Sequence, residues 1–233
     1  MKTALKIAAA LLALPGAGLF AQDFIGQDFR EAIGNAREQL NASSAAPAAI
    51  PVPVDFAADN SAPLAQKEWT VMVFMNGKNN LEGDALADIN EMEKAGSSAG
   101  VNVIVEVGQF TGDRMARYYI TKDTQAAVIA SPVLGAAASI DMGDPASVKD
   151  FALWAEGRFP ARKYMLILWD HGTGWLKGNP APARSSAKGI SEDWITKHNI
   201  DTPQLGRLVK DIEAGGGRVD LLAFDACLMQ MVE

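Results

Sequence analysis

Two side chains in this sequence have the chemistry of a nucleophile and its base, and each stands just beyond a similar segment. The apolar run Tyr164-Met165-Leu166-Ile167-Leu168-Trp169 leads into Asp170-His171-Gly172, and Leu221-Leu222-Ala223-Phe224 leads into Asp225-Ala226-Cys227. Cys227 is the single cysteine and His171 is one of two histidines. The groups best suited to thiolate attack and proton transfer therefore occupy equivalent positions. A free thiol with a pKa of about 8.5 is mostly protonated at neutral pH, so a cysteine nucleophile gains from an adjacent base or positive field. Asp225, two residues before Cys227, faces the same way in an extended segment. It could line a pocket for a cationic side chain or cap a following helix. Asp170 alternates away from His171 and reads as structural. His198 has no partner nearby in sequence and is given no role.

The elements that must position these groups follow from the same pattern. Each apolar run is too short for a globular helix and is bounded by turn formers, which predicts a strand buried on both faces of a parallel sheet. Loops leaving the carboxyl ends of such strands share one edge, where ligands bind. Upstream, residues 69–75 read as a first strand. A helix follows, with Leu81, Ala85, Ile89 and Met92 on one face and Asn80 as its cap. Residues 101–107 form a second strand and 117–121 a shorter third, nearer an edge. Asp144-Pro145 opens a helix with Val148, Phe151, Ala152 and Ala155 inward. Thr202-Pro203 opens another with Leu205, Leu208, Val209 and Ile212 inward, stopped by Gly215-Gly216-Gly217. Repeated β-α-β order predicts a three-layer α/β domain with a mostly parallel sheet.

Composition bounds the rest. With 233 residues, 48% hydrophobic and 21% charged, the chain can build one substantial core and carry a tail. A net charge of -7 without a Lys/Arg-rich run argues against general nucleic-acid binding. One cysteine excludes an internal disulfide, leaving a buried hydrophobe, an intermolecular bridge or a reactive thiol. Residues 1–21 pair Lys2 and Lys6 with a short apolar stretch broken by Pro15 and Gly16. That is the pattern of a cleavable signal peptide, hence a secreted or periplasmic protein; no later segment suits a membrane span. Residues 22–67 read as a propeptide or linker, with one amphipathic helix through Phe29, Ala32, Ile33, Ala36 and Leu40 before an Ala/Ser/Pro-rich stretch. The domain then occupies 68–233. Its segment 176–201 is long for an internal connection. The glycine triplet precedes a strand, contrary to the order of a phosphate loop. No run of acidic residues marks a metal site.

Three motifs carry a resemblance. Residues 69–75 with Asn79-Asn80-Leu81-Glu82 and Asp88-Ile89-Asn90-Glu91-Met92 look like the opening of the clostripain family of cysteine peptidases. Leu168-Trp169-Asp170-His171-Gly172-Thr173-Gly174-Trp175 resembles its histidine motif, and Phe224-Asp225-Ala226-Cys227-Leu228-Met229 its cysteine motif. The resemblance implies a caspase-like fold and a secreted endopeptidase that cuts after Arg or Lys through a His171–Cys227 dyad and a thioester. It further implies an oxyanion site at the N–H groups of Gly172 and Cys227, a basic-residue pocket at Asp225, and self-cleavage in 176–201. Arg184 and Lys188 are the processing candidates there, because Lys177 lies close to the histidine strand. No cofactor is required for this chemistry, and calcium enters by resemblance only. The family's domain continues beyond the cysteine motif whereas Glu233 follows it closely, so an incomplete sheet is expected. The competing expectation is an inactive truncated fragment, or a secreted α/β module that binds a cationic peptide or a partner chain.

Overall fold

The structure is a computed structural model that describes residues 64–173, 189–227 and 229. The proposed signal peptide, almost all of the propeptide or linker segment, and both Arg184 and Lys188 lie outside the described residues. The elements run β1 (Lys67–Gly77), α1 (Glu82–Glu93), β2 (Val101–Gln109), β3 (Arg114–Tyr119), β4 (Val133–Ala138), α2 (Pro145–Arg158) and β5 (Ala161–Trp169). They continue with β6 (Ile190–Asp193), β7 (His198–Ile200), α3 (Thr202–Ala214) and β8 (Leu221–Asp225).

Period-two alternation of apolar side chains builds the central sheet. Met72, Phe74, Ile104, Leu166 and Leu168 face α2 and α3, meeting Val148, Phe151, Ala152, Leu205, Leu208 and Ile212. Val71, Val73, Met75, Val105, Val107, Ile167 and Trp169 point the other way and bury Ala85 and Ile89 of α1. Strands covered on both faces must be apolar at successive positions, which is why β1 and β5 read as continuous runs. The strand order is β4-β3-β2-β1-β5-β8. β1 pairs in parallel with β2 and β5, and β5 with β8, whereas β3 and β4 are antiparallel. The mostly parallel three-layer α/β architecture expected from the sequence is therefore present.

Four local expectations are corrected. β4 went unread because Val133-Leu134-Gly135-Ala136-Ala137-Ala138 has little intrinsic strand character; pairing with β3 makes it a strand. The small β6–β7 hairpin emerges from the connection that looked irregular. β8 is covered less than expected: it has a partner on one side only among the described residues, and Leu221 is 44% exposed. An apolar run identifies a strand without revealing how many neighbours it acquires. Finally, Asn80 does not cap α1. Leu81 holds the N-cap position, and the Asn79 Oδ1 accepts the Leu81 N–H at 2.8 Å.

The other two helices start as their sequences direct. The Asp144 side chain accepts from Ala146 N ahead of Pro145, and Asp201 forms a capping box with Gln204 at the start of α3.

One polar pair is sealed inside. Arg117 Nε donates to Glu106 Oε2 at 2.5 Å between β3 and β2, and its guanidinium lies 4.2 Å from the Trp154 ring centroid. Burial pushes the Glu106 carboxyl up, and Arg117 opposes that shift. Removing one partner of such a pair strands the other charge in the core. Arg117→Met should therefore lower unfolding stability by about 3 kcal/mol in a denaturant titration. Adding Glu106→Leu should recover much of that loss, because both buried polar groups are then gone.

Candidate active site

The carboxyl ends of β5 and β8 create the site. Their register pairs Trp169 with Asp225, and Asp170 N donates to Asp225 O at 3.4 Å. His171 and Cys227 then stand two residues beyond the last paired residue of each strand. The strands are hydrogen-bonded neighbours, so both functional groups leave the same edge of the sheet. Cys227 lies in the turn after β8 with its side chain exposed, and His171 is half-buried.

Gly172 brings the two loops into contact. A β-carbon there would collide with the Cys227 carbonyl, lie 2.6 Å from Met229 Cγ and 3.1 Å from Ala226 Cβ. Glycine is therefore required by close packing of backbone on backbone. Beyond it the chain is tied to β6. Gly172 bridges Ile190, Thr173 N donates to Gly189 O at 3.0 Å, and Gly189 N donates to Thr173 Oγ1 at 2.8 Å.

Asp170 is the anchor behind the histidine, as its alternation suggested. It is 4% exposed, accepting from Asn79 Nδ2 at 2.7 Å and from Glu192 N at 2.5 Å. Asn79 Nδ2 also donates to Glu192 O at 3.0 Å. One buried carboxyl thus joins the exits of β1 and β5 to β6. Burial holds its pKa well above the ordinary carboxylate range, against the opposing hydrogen bonds of Asn79, His171 and Glu192.

The histidine has a partner that sequence reasoning missed. His171 Nε2 lies 3.0 Å from Asn80 Oδ1. The available signal was the Asn79-Asn80 pair just after a buried strand, where polar side chains can reach a neighbouring strand end. Burial lowers the His171 pKa, while the charges of Glu192 and Asp84 act to raise it.

Asp225 ends β8 and is exposed. The chain bends at Ala226 and turns at Cys227, so the alternation assumed for Asp225 and Cys227 ends at Asp225. Ala223, two residues earlier, packs on the α1 side of the sheet. On that side Trp169 Nε1 donates to Asp88 Oδ2 at 2.8 Å. Burial pushes the Asp88 carboxyl up to about 6, with the charge of Asp225 adding to the rise and the indole hydrogen bond opposing it. Partial desolvation at the sheet edge raises Asp225 as well, although its side chain is not enclosed. Two carboxyls and an indole thus border the His171–Cys227 edge. His198, left without a role, forms an ion-pair contact through Nδ1 with Asp141, far from this edge in the chain. Among the described residues, no group of three or more His, Cys, Asp or Glu side chains is placed to hold a metal ion. No step below runs through calcium. No helix among them is long and apolar enough to cross a membrane.

A thiol and an imidazole at the carboxyl ends of neighbouring parallel strands, in a sheet with helices on both faces, define a caspase-like cysteine peptidase architecture. The model of the clostripain family, Peptidase C11, matches residues 73–233, and the chain belongs to that family. Clostripain from Hathewaya histolytica is 31% identical over 185 residues, which cover 70% of this chain and 34% of clostripain. Two solved structures share the fold. A secreted C11 cysteine protease from Bacteroides thetaiotaomicron, "iotapain", has a TM-score of 0.51 at 15% identity, over 71% of this chain and 47% of that one. An inactive zymogen C11 protease from Parabacteroides distasonis has a TM-score of 0.50 at 21% identity, over 70% of this chain and 43% of that one. The chain spans about a third of the length of its curated relative and less than half of these two solved chains.

Proposed function

We propose that this protein is a secreted cysteine endopeptidase, or the part of one that carries both catalytic groups, and that it cuts after Arg or Lys. His171 takes the thiol proton of Cys227, and the thiolate sulfur attacks the carbonyl carbon of the scissile bond. The resulting oxyanion is met by the N–H groups of Gly172 and Cys227. The tetrahedral species collapses to a thioester as the imidazolium returns its proton to the departing amine. Water then attacks the thioester carbonyl while His171 accepts its proton. That proton returns to the sulfur as the acid product leaves. The observation that carries this reading is the contact of Gly172 with the Cys227 carbonyl, which fastens the histidine loop to the cysteine loop.

The cationic preference rests on Asp225, with Asp88 and Trp169 beside it. The charge of Asp225 adds to the rise of the Asp88 carboxyl, and a guanidinium or ammonium held at Asp225 would relieve that repulsion. Processing after Arg184 is favoured over Lys188. Gly189 is buried and its N–H is held by Thr173, so a cut after Lys188 would require that amide to leave its site. Secretion is supported by the leader pattern of residues 1–21 and by the similarity to a secreted C11 cysteine protease of Bacteroides thetaiotaomicron.

An Arg-ended acyloxymethyl ketone provides the test. The thiolate displaces its carboxylate leaving group and forms a thioether whose mass is read on the intact protein. One adduct at Cys227 is expected with the Arg-ended compound, and much slower labelling with a Leu-ended one. Asp225→Asn should cut the Arg-ended rate about 100-fold and leave the Leu-ended rate within about threefold, since it removes a charge that only the cation uses. No adduct from a protein that remains folded would overturn the peptidase reading.

A further inference from the structure

We infer that Asn80 is a positioning residue for His171, holding one ring nitrogen so that the other serves as the base; this rests on the peptidase reading above. The contact is Asn80 Oδ1 to His171 Nε2, 3.0 Å, between residues far apart in sequence. An amide oxygen only accepts, so the nitrogen facing it must carry the proton. Nε2–H is thereby engaged, and Nδ1 keeps the lone pair that can take a proton from Cys227. An imidazole free to turn about its last side-chain torsion would present either nitrogen. One tied at Nε2 presents Nδ1 only.

The support for Asn80 lies one residue earlier. Asn79 is 3% exposed, and its amide is committed to Leu81 N, Asp170 and Glu192 O. That fixes the backbone from which Asn80 projects, while Asp170 fixes the backbone from which His171 projects. The two consecutive asparagines therefore divide the work. Asn79 locks the loops to one another, and Asn80, on the exposed side, reaches the ring. This also accounts for the absence of a side-chain cap from Asn80 on α1: its oxygen is occupied elsewhere.

Burial lowers the His171 pKa and the charges of Glu192 from β6 and Asp84 from α1 raise it; Asp170 precedes the ring in the chain and Cys227 follows the neighbouring β8. None changes when Asn80 is replaced, so a shift in His171 titration reports on Asn80 itself. An acceptor at Nε2 favours the imidazolium, because a charged ring donates more strongly. Asn80→Ala should therefore lower the His171 pKa, and Asn80→Asp should raise it by about one unit.

The experiment is nitrogen-15 NMR of the imidazole rings across pH in the wild-type chain, Asn80→Ala and Asn80→Asp, with His198→Gln assigning the only other ring. Cys227 labelling by the Arg-ended ketone is measured in parallel. The expected results are an Nε2–H tautomer in the neutral wild-type ring and the pKa order Asn80→Asp, wild type, Asn80→Ala from highest to lowest. Labelling should fall about 10- to 30-fold in Asn80→Ala and stay within about threefold in Asn80→Asp. A residue that merely supports the fold would not move the titration in opposite directions. An Nδ1–H tautomer in the wild type, or the same His171 titration in all three folded proteins, would overturn the proposal. If the titration order holds while no variant labels, the positioning role stands and the peptidase reading fails.

Discussion

Cys227→Ala is expected to abolish both covalent labelling and hydrolysis of Arg- and Lys-containing peptides, with the fold unchanged. The thiol is exposed in a turn and is the only one in the chain, so its loss removes the nucleophile without opening a core cavity. His171→Ala should reduce turnover about 10²- to 10⁴-fold, the usual contribution of a positioned general base. If the two groups act in one proton-transfer unit, as proposed, the double variant should be no slower than the Cys227 variant alone. The ring of His171 is half-buried and, among the described residues, its side-chain hydrogen bond is to Asn80, so its removal should cost little stability. Full labelling of His171→Ala at neutral pH would mean that another group activates the thiol.

Gly172→Ala is expected to have the second-largest effect, for a reason that is steric rather than chemical. The added methyl would strike the carbonyl of Cys227, which is backbone and cannot swing aside, and it would crowd Met229 as well. Relief requires the histidine loop and the cysteine loop to separate, and with them the two N–H groups proposed to meet the oxyanion. Loss of one such donor alone costs about 10²- to 10³-fold in rate. Labelling by the Arg-ended ketone should therefore fall at least about 100-fold, while a small alkylating agent still reaches Cys227. The overpacked contact should also lower stability by about 1–3 kcal/mol. Gly157→Ala is the matching control, since nothing lies within 4 Å of its added β-carbon. It should leave labelling intact and hold or slightly raise stability, as alanine favours the interior of α2. Equal effects from the two substitutions would show that contact between the loops is not what matters at Gly172.

The parallel core of the fold was legible because its strands are covered on both faces. β1, β2 and β5 are runs of apolar residues, and α2 and α3 carry their start signals at Asp144-Pro145 and Asp201-Thr202-Pro203. β4 and the β6–β7 hairpin were not legible. Their short segments become strands only through partners supplied by the rest of the molecule. The site divides in the same way. His171 and Cys227 stood out by residue type at two matching strand ends, whereas Gly172 came from the family resemblance and Asp225 read equally as pocket lining or helix cap. Asn80 looked like a helix cap because an asparagine before a helix usually is one. Its partner lies in the loop after a strand that comes much later in the chain.

By itself the sequence determined which groups are available and which strands end with them. Residue identity and period-two or helical spacing are local properties that the chain carries without folding. Only the tertiary structure decided that β5 and β8 are neighbours, that Gly172 rests on the Cys227 carbonyl, that Asp170 ties three loops together and that Asn80 meets His171. Those contacts join residues widely separated along the chain. They exist only once burial of both faces of the sheet has brought the strand ends to one edge.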